Sequence, residues 1–362
     1  MTTSDAAASG GTAAAGARVG RPARLADVAA RAGVSVGLAS RILRDDATVR
    51  AQDATQERVR AAARDLQYTP NEIGRALRSR VAGAIGLVVH DVGNPIYAEI
   101  IHGVQQAALE RGVGVFLYDA DAIGQDDRAL RALLTPGRVD GLLVQAGGYE
   151  TDQDLMRRLV GRLPVVLVNN LPMLGAPAVH LDDAGAARIA TRHLLELGHT
   201  RLAYVGGRAT SLTSQLRREA FEGELTQRGL TPVPAVESGW DMDAGRVVLT
   251  TLRRRRAPLV TGLVVANTLV AAGVVVEARR VGIQVPEQLS VVSLHDVWLA
   301  KATSPALTVV RTPLAKMGAR AVEVLLGHEQ GHPLVSEQVV LPRARLVVRA
   351  STARVESHRS TA

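Results

Sequence analysis

Two segments carry residue types at spacings found in catalytic motifs. Residues 33–37, GVSVG, match G-x-S-x-G, in which a turn between a strand and a helix exposes a nucleophilic serine. Residues 328–332, HEQGH, match H-E-x-x-H, which binds zinc when both histidines lie on one helical face. A helical pattern precedes Ser35, however, and glycines and a proline at 327–333 disfavour a continuous helix. The sequence therefore predicts neither a hydrolase nor a metal or cofactor site, and a surface loop at 328–332.

Residues 25–44, LADVAARAGVSVGLASRILR, instead predict two short helices joined by a tight turn. Apolar residues recur at helical spacing on both sides of Gly33, so each helix has one face to bury. Glycine is favoured where the first helix must end and the chain reverse, and Ser35 can cap the second helix. This is a helix-turn-helix, whose second helix presents small polar and basic groups suited to a DNA major groove. The predicted outward residues are Ser35, Val36, Gly37, Ser40, Arg41 and Arg44.

The charge distribution agrees with a polyanionic partner. The chain has 43 basic and 35 acidic residues, and its first 80 residues hold 13 arginines against 8 acidic residues. Such clustering is typical of DNA binding, and a solvated basic surface is the alternative. The first 23 residues lack the apolar run of a signal peptide and are predicted to be a disordered tail. With no cysteine in the sequence, a cytoplasmic protein associated with the nucleoid is expected.

The helix-turn-helix segment, followed by QYTPN at 67–71, resembles the headpiece of the lactose-repressor (LacI) family of bacterial transcription regulators. The resemblance extends from about residue 24 to 350. One departure is the segment 49–59, which is two residues longer than is usual in the family. Here Asp53 and Gln56 are predicted to form a capping box for the third helix. The resemblance implies a homodimeric repressor that binds a pseudo-palindromic operator.

The resemblance also assigns DNA contacts beyond the headpiece, which is predicted at 24–70. Residues 71–82 match the family's hinge helix, in which a leucine enters the minor groove and kinks the duplex. This role falls to Leu77, with Asn71 and Arg78 as further DNA contacts. An ordinary linker helix, whose leucine packs on the next domain, is the alternative. In the second helix Arg41 is expected to read bases directly, because Val36 and Gly37 have no side-chain donor.

From residue 83 to 350, buried apolar runs alternate with helical patterns, which predicts parallel strands covered on both faces. The pattern restarts near residue 202. The expected fold is therefore an all-α headpiece followed by an α/β clamshell of two parallel-sheet subdomains, like a periplasmic binding protein. Subdomain 1 is predicted at 83–181 and 311–341, and subdomain 2 at 182–310 and 342–350.

Residues 351–362 are predicted to form a tail without apolar heptads, so a dimer rather than a tetramer is expected. The uncharged run at 257–276 is divided by Asn267 into a strand and a helix rather than forming a membrane span.

The family's effector pocket carries over to polar and aromatic residues that follow the predicted strands, where ligands bind in open α/β sheets. Sugar-binding members commonly have carboxylates where this chain has His295 and Thr268. With Arg217 in the same pocket, a neutral to positive cleft and an anionic or weakly polar effector are expected. An alternative is that His295 turns away and Asp296 caps the next helix. The predicted effector residues are Asp91, Asn94, Gln145, Asn169, Arg217, Trp240, Asn267 and His295.

Two other functions fit parts of the sequence. A solute-binding protein of a transport system would share the clamshell but has no use for a basic helix-turn-helix. A regulator whose clamshell only dimerises would also fit, given the altered pocket residues. The sequence does not distinguish an inducer from a corepressor.

Overall fold

The computed structural model describes residues 23–43, 46, 48–68, 81–146, 148–149, 151–254 and 260–355. The chain forms two compact units that divide between residues 75 and 76. The predicted N-terminal tail up to residue 22, residues 71–80 of the predicted hinge, and residues 356–362 lie outside the described residues.

Three helices make up the described part of the first unit: α1 (Leu25–Ala32), α2 (Val36–Ile42) and α3 (Asp53–Asp65). Val28, Ala39 and Val59, one from each helix, are completely buried at the centre of a small apolar core. The three helices therefore hold each other in place through one shared cluster, and a short helix such as α2 depends on this packing for its stability.

The turn between α1 and α2 has the predicted chemistry. Gly33 ends α1 with a φ of 68°, in the left-handed region that favours glycine. The side chain of Ser35 accepts a hydrogen bond from the backbone N–H of Leu38 at 3.2 Å, which caps α2. The predicted helix-turn-helix is confirmed.

The predicted capping box of α3 is wrong. The helix begins at Asp53, so Gln52 occupies the N-cap position, and its side chain makes no capping bond. Gln56 reaches back past the cap instead and donates to the carbonyl oxygen of Ala51 at 3.1 Å. The extra length of the preceding segment is thus accommodated without the Asp53–Gln56 pair.

The second unit contains two six-stranded sheets, each with its helices. The first sheet has the strand order β11-β5-β4-β3-β1-β2, and every pairing in it is parallel. Its strands β1 and β3 to β5 are almost wholly buried, as expected for a sheet covered on both faces. Its elements are β1 (Ala84–Val89), α4 (Pro95–Leu109), β2 (Gly114–Asp119), α5 (Ala120–Gln125), α6 (Asp127–Leu133), β3 (Gly141–Val144), α7 (Asp152–Leu159), β4 (Val165–Val168), β5 (Ala178–Leu181), α13 (Leu314–Glu329) and β11 (Glu337–Val339).

The second sheet has the order β12-β10-β9-β8-β6-β7 and is parallel except for β12. The chain passes between the sheets after β5, after β10 and before β12. The predicted clamshell of two parallel-sheet halves is confirmed. Its elements are α8 (Asp183–Glu196), β6 (Leu202–Gly206), α9 (Leu212–Thr226), β7 (Val233–Glu237), α10 (Ala244–Arg254), β8 (Gly262–Val265), α11 (Thr268–Arg280), β9 (Ser290–Leu294), α12 (Leu299–Ala302), β10 (Thr308–Arg311) and β12 (Arg345–Val347).

Strand β2 departs from the expectation of full burial. It lies at the edge of the first sheet, and its residues are exposed or half-buried throughout. Phe116 and Leu117 are 44% and 48% exposed. An apolar run in the sequence does not distinguish a central strand from an edge strand. An edge strand that is covered by another surface has the same apolar residues as a central strand.

Candidate DNA-binding and effector-binding sites

Helix α2 presents an open surface at its N-terminal end. Val36 is 47% exposed, a Cβ added to Gly37 would meet no atom within 4 Å, and Arg41 is exposed one turn further on. Ser35 is also exposed, although its side chain already caps the helix. Ser40 is half-buried. The N-terminal end of α2 therefore presents small, accessible side chains, and Arg41 is the long hydrogen-bond donor beside them.

The headpiece arginines differ in how far their charge is neutralised. Arg31 lies 3.1 Å from Asp65, and Arg64 pairs with Glu57 at 2.5 Å. Within the described part of the headpiece, Arg41 makes no salt bridge, so its guanidinium keeps its donors for a partner. The other predicted DNA-contacting residues, Arg44, Asn71, Leu77 and Arg78, lie outside the described residues.

A cavity that is partly open to solvent lies in the second unit at the carboxyl ends of strands from both sheets. All eight of the predicted effector residues line it. Asp91 follows β1, Gln145 follows β3 and Asn169 follows β4 in the first subdomain, whereas Asn267 follows β8 and His295 follows β9 in the second. The lining residues are Asp91, Asn94, Ile96, Tyr97, Gln145, Ala146, Gly148, Tyr149, Asn169, Asn170, Ser211, Thr213, Arg217, Trp240, Asn267 and His295.

Three of the lining residues have left-handed backbones although none is glycine. The φ values are 42° for Asp91, 59° for Asn169 and 71° for His295. Each stands directly or almost directly after a strand, where the chain turns into the cavity. Such conformations cost about 1–3 kcal/mol each and persist where the surrounding fold imposes them, often at ligand sites.

The amide side chains of the cavity fall into two groups. Asn267 accepts from the N–H of Val270 at 2.7 Å and donates to the carbonyl of Trp240 at 3.1 Å, so it caps α11 and holds the tryptophan segment. Asn94 likewise caps α4. In contrast, Oε1 of Gln145 and Oδ1 of Asn169 are buried and have no hydrogen-bond partner among the described residues. Because an unpaired buried acceptor costs about 1–3 kcal/mol, these two oxygens favour a ligand that donates to them.

Arg217 is buried and its charge is balanced inside the protein. Its Nε donates to Asp183 at 2.8 Å, and one of its terminal nitrogens donates to the carbonyl of Ala266 at 3.0 Å. The other lies 2.6 Å from Asp183 and 3.2 Å from Nε2 of His295. Both charged side chains are 3% exposed. The arginine therefore does not make the cavity positive, which leaves the neutral end of the range expected from the sequence.

His295 is neutral in this environment. Burial first, and the neighbouring Arg217 second, hold the pKa of His295 well below its ordinary value of 6.5. Since Nε2 faces the guanidinium, Nδ1 carries the proton and donates to the hydroxyl of Thr312 at 2.7 Å. His295 does line the cavity, and Asp296 does not cap the following helix. That carboxylate instead binds Arg311 and Arg349.

Trp240 contacts both the protein core and the cavity. Its ring lies so close to Gly207 that an added Cβ there would stand 2.0 Å from the indole, so only glycine fits. The same side chain packs against the core cluster around Tyr204 and Phe221. Trp240 is thus fixed as a flat apolar wall, a surface that suits a sugar ring or a base.

The sequence reasoning missed several lining residues. Tyr97, Asn170, Ser211 and Thr213 lie one to several residues beyond those selected, on helices or loops that enter the cavity. Tyr149 stands five residues after the end of β3. The predicted residues follow the family's pocket position by position, and a wider window after each strand would have included Asn170.

The segment 328–332 does not form a metal site. His328 is in the last turn of α13, while His332 lies beyond Gly331, whose φ of 86° has already turned the chain. Nδ1 of His328 lies 3.2 Å from the carbonyl of His332. Across the described ranges, no group of three or more histidine, cysteine or acidic side chains could hold a metal ion. The same ranges contain no helix long and apolar enough to cross a membrane.

An exposed helix-turn-helix joined to a clamshell with a polar cavity defines a ligand-responsive DNA-binding transcription regulator. Residues 24–71 match the family model of bacterial regulatory proteins of the lacI family, and residues 191–352 match that of a periplasmic binding protein-like domain. An HTH-type transcriptional regulator encoded in the aml 5′ region of Streptomyces limosus is 36% identical over 93% of this chain and 97% of its own length. The chain belongs to the LacI family.

Solved structures agree with this assignment. A LacI family regulator from Mycobacterium smegmatis is 36% identical, with a TM-score of 0.68 over 75% of this chain and 99% of that one. The transcriptional regulator CelR in complex with cellobiose is 28% identical, with a TM-score of 0.66 over 91% of this chain and 99% of that one. The match at 24–71 favours a regulator over the alternative of a transport protein.

Proposed function

We propose that this protein is a cytoplasmic, homodimeric repressor that binds a pseudo-palindromic operator and responds to an uncharged, hydroxyl-bearing effector. The observation that carries the effector assignment is the pair of buried, unpartnered oxygens on Gln145 and Asn169 in a cavity whose arginine is already neutralised. The helix-turn-helix and its exposed, unpaired Arg41 support the DNA-binding part.

On DNA, α2 enters the major groove with its N-terminal end. Val36 and Gly37 offer no side-chain donor, so Arg41 supplies direct readout, with its two terminal nitrogens donating to one guanine. Ser35 and Ser40 make shorter contacts to the backbone or bases. Four more DNA contacts are carried over from the sequence. Arg44 and Asn71 are further contacts, Arg78 contacts a phosphate, and Leu77 enters the minor groove as a wedge.

The effector is assigned as neutral on three grounds. Arg217 is paired with Asp183, His295 carries no charge, and the remaining charged group of the lining is the acidic Asp91. Among the described residues that line this cavity, an anion would therefore meet no uncompensated cation, which favours the weakly polar over the anionic of the two effector types expected from the sequence. Hydroxyl groups can donate to the oxygens of Gln145 and Asn169 while a ring packs on Trp240. A sugar meets both demands, as cellobiose does for CelR.

Dimerisation is supported by apolar side chains left on the surface of the second unit. Phe116 and Leu117 lie on edge strand β2, and Val276 on α11 is 56% exposed. An exposed apolar edge strand invites pairing with another chain. A second copy of this protein covering these side chains would also supply the second headpiece that a two-fold symmetric operator demands.

The effector assignment is tested by a thermal-shift screen of the purified protein against neutral sugars, sugar phosphates and carboxylates. The proposal expects a rise in melting temperature with one or more neutral sugars, and a change in retained operator DNA with the same compounds. A response confined to sugar phosphates or carboxylates would overturn the effector class. A protein that retains DNA but responds to no compound would favour the clamshell that only dimerises.

A further inference from the structure

His90, at the end of β1, holds an arrangement that the effector site does not explain. The side chain is 1% exposed, yet both ring nitrogens face carboxylates. Nε2 lies 2.6 Å from Oδ1 of Asp152, and Nδ1 lies 3.1 Å from Oδ1 of Asp121. An ionised carboxylate only accepts hydrogen bonds, so each ring nitrogen must donate. The geometry therefore favours the doubly protonated imidazolium.

The energetics agree with this geometry. Burial alone would lower the pKa of His90, but the hydrogen bonds and charges of Asp152 and Asp121 outweigh it and raise the pKa above its ordinary value. Burial would raise the pKa of Asp152, and His90 together with two backbone N–H groups lowers it instead. Asp152 is the stronger partner because it is 1% exposed, whereas the side chain of Asp121 is half exposed to screening water.

The imidazolium fixes the position of Tyr149, a wall of the effector cavity. Oδ2 of Asp152 accepts from the backbone N–H groups of Gly148 and Tyr149 at 2.8 and 2.9 Å. The phenol ring of Tyr149 stacks on the imidazole, with 4.0 Å between ring centroids and 21° between planes. The segment is thus held to His90 through both its backbone and its ring.

The same tyrosine contacts the opposite subdomain. The guanidinium carbon of Arg208, in the loop after β6, lies 4.7 Å from the centre of the Tyr149 ring, an attractive cation–π geometry. The hydroxyl of Thr210 in that loop donates to the carbonyl of Gly148 at 3.5 Å. Tyr149 therefore lies between two cations, one from each side of the cleft. We call the group His90, Asp121, Asp152, Tyr149 and Arg208 the cleft latch.

We propose that the cleft latch closes the two subdomains over the effector and that it holds only while His90 is doubly protonated. The inference rests on the proposed role of the cavity as the effector site, and it makes closure, and so the regulatory response, dependent on pH. A neutral imidazole has one N–H, so one carboxylate would face a ring lone pair and the hold on Tyr149 would weaken. The titratable and charged groups facing this site are Asp121, Asp152, Tyr149, Arg208, Asp91 and Tyr97.

The latch can be tested without knowing the effector, because Trp240 lines the cavity beside Gly148. Replacing the exposed Trp298 by phenylalanine leaves Trp240 as the sole tryptophan in the sequence. Its fluorescence in the Trp298→Phe protein is then followed from about pH 6 to about pH 9, a range that spans a histidine with a raised pKa. The proposal expects a single transition with a midpoint above the ordinary histidine value.

Three variants in the Trp298→Phe background identify the source of the transition. His90→Gln should abolish it, and His102→Gln, which changes an exposed histidine on α4, should leave it unchanged. Asp121→Asn, on the exposed side of the latch, should move the midpoint to lower pH while the protein stays folded. The proposal is overturned if the transition persists in His90→Gln or if its midpoint does not move in Asp121→Asn.

Closure itself is measured by small-angle scattering of the full chain, with Arg208→Gln as the variant that opens the latch from the opposite side. The radius of gyration should rise with pH in the wild-type protein, and Arg208→Gln should have the larger radius even at low pH. An unchanged radius in both comparisons would contradict the latch. Failure of the protein to retain any DNA would overturn the proposed function while leaving these two readouts intact.

Discussion

Nε2 of His295 accepts a hydrogen bond from the buried guanidinium of Arg217 at 3.2 Å, whereas both nitrogens of His90 lie within hydrogen-bond distance of carboxylates. Two buried histidines of one clamshell are therefore held in opposite protonation states by the charge of their neighbours. The first leaves the effector cavity without a positive charge, and the second supplies a cation that holds one of its walls.

The Arg217–Asp183 pair predicts a large and specific loss of stability. Asp183→Asn leaves a buried guanidinium without a counter-charge, which costs about 3–5 kcal/mol when one partner of a buried pair is removed. Urea unfolding followed by circular dichroism measures the change. Arg280→Gln, which removes a mostly exposed guanidinium from its pair with Glu277 on α11, is the control and should cost several-fold less because solvent screens that charge. Equal losses in the two variants would contradict the assigned burial of the Arg217 charge.

The neutral state of His295 predicts weaker folding in acid. A histidine whose pKa is lowered by folding binds its proton more tightly in the unfolded chain, so stability is lost as pH falls below the ordinary value of about 6.5. His193 and His199, whose pKa values burial also lowers, act in the same direction. The free energy of unfolding should drop between pH 7 and pH 5, and less steeply in His295→Asn. A variant that follows the wild-type curve would show that His295 is not buried in its neutral form.

His90 predicts the opposite dependence. Because its pKa is raised in the folded protein, its contribution to stability is full below the ordinary histidine pKa and is lost as pH rises through the folded value. The difference in unfolding free energy between wild type and His90→Gln should therefore shrink on going from neutral to alkaline pH. The result is checked by urea unfolding at matched pH values, and a difference that grows with pH would be incompatible with the imidazolium.

The unpaired acceptor of Gln145 predicts that binding and stability respond differently to one substitution. Gln145→Leu removes a buried oxygen that has no partner, so the free protein should be as stable as wild type or slightly more so. The affinity for the sugar that gives the largest thermal shift should fall at least about tenfold, since the ligand loses a hydrogen bond to a buried group. Gln153→Leu, on α7 and exposed, is the control and should change neither quantity. Undiminished sugar affinity in Gln145→Leu would remove this residue from the site.

Much of this fold follows from the sequence because the signals are local. The parallel strands follow from their apolar runs, and Asn267 marks the start of α11 because an asparagine can cap a helix. Gly33 and Ser35 mark the turn of the helix-turn-helix, because glycine can end a helix in the left-handed region and serine can cap the next one. In each case the physical cause lies within a few residues of its effect.

The electrostatics of the cavity did not follow, because the deciding partners are far apart in the chain. Asp183 stands 34 residues from Arg217, and Asp152 stands 62 residues from His90. No periodicity or motif links them, so the sequence alone left the arginine charge uncompensated and did not separate an anionic from a weakly polar effector. The edge position of β2 could not be predicted from its own residues either, since strand order is a property of the folded sheet.

Arg41 predicts how base recognition is divided from backbone binding. Arg41→Ala should relax the preference for operator over random DNA, by roughly 1–3 kcal/mol for each good contact to a guanine. Arg78→Ala, assigned to a phosphate, should weaken binding evenly across sequences and reduce its salt dependence. Fluorescence anisotropy with both duplexes gives the two ratios. Equal losses on operator and random DNA for Arg41→Ala would contradict its role in reading bases.

The proposed function requires that α2 binds in the major groove of a specific DNA site. The purified chain is incubated at low salt with fragments of its own genome, and the fragments that it retains are sequenced. We expect enrichment of a shared sequence with two inverted half-sites, footprinted symmetrically in the major groove. Retention of no fragment, with and without the sugars that raise the melting temperature, would contradict it.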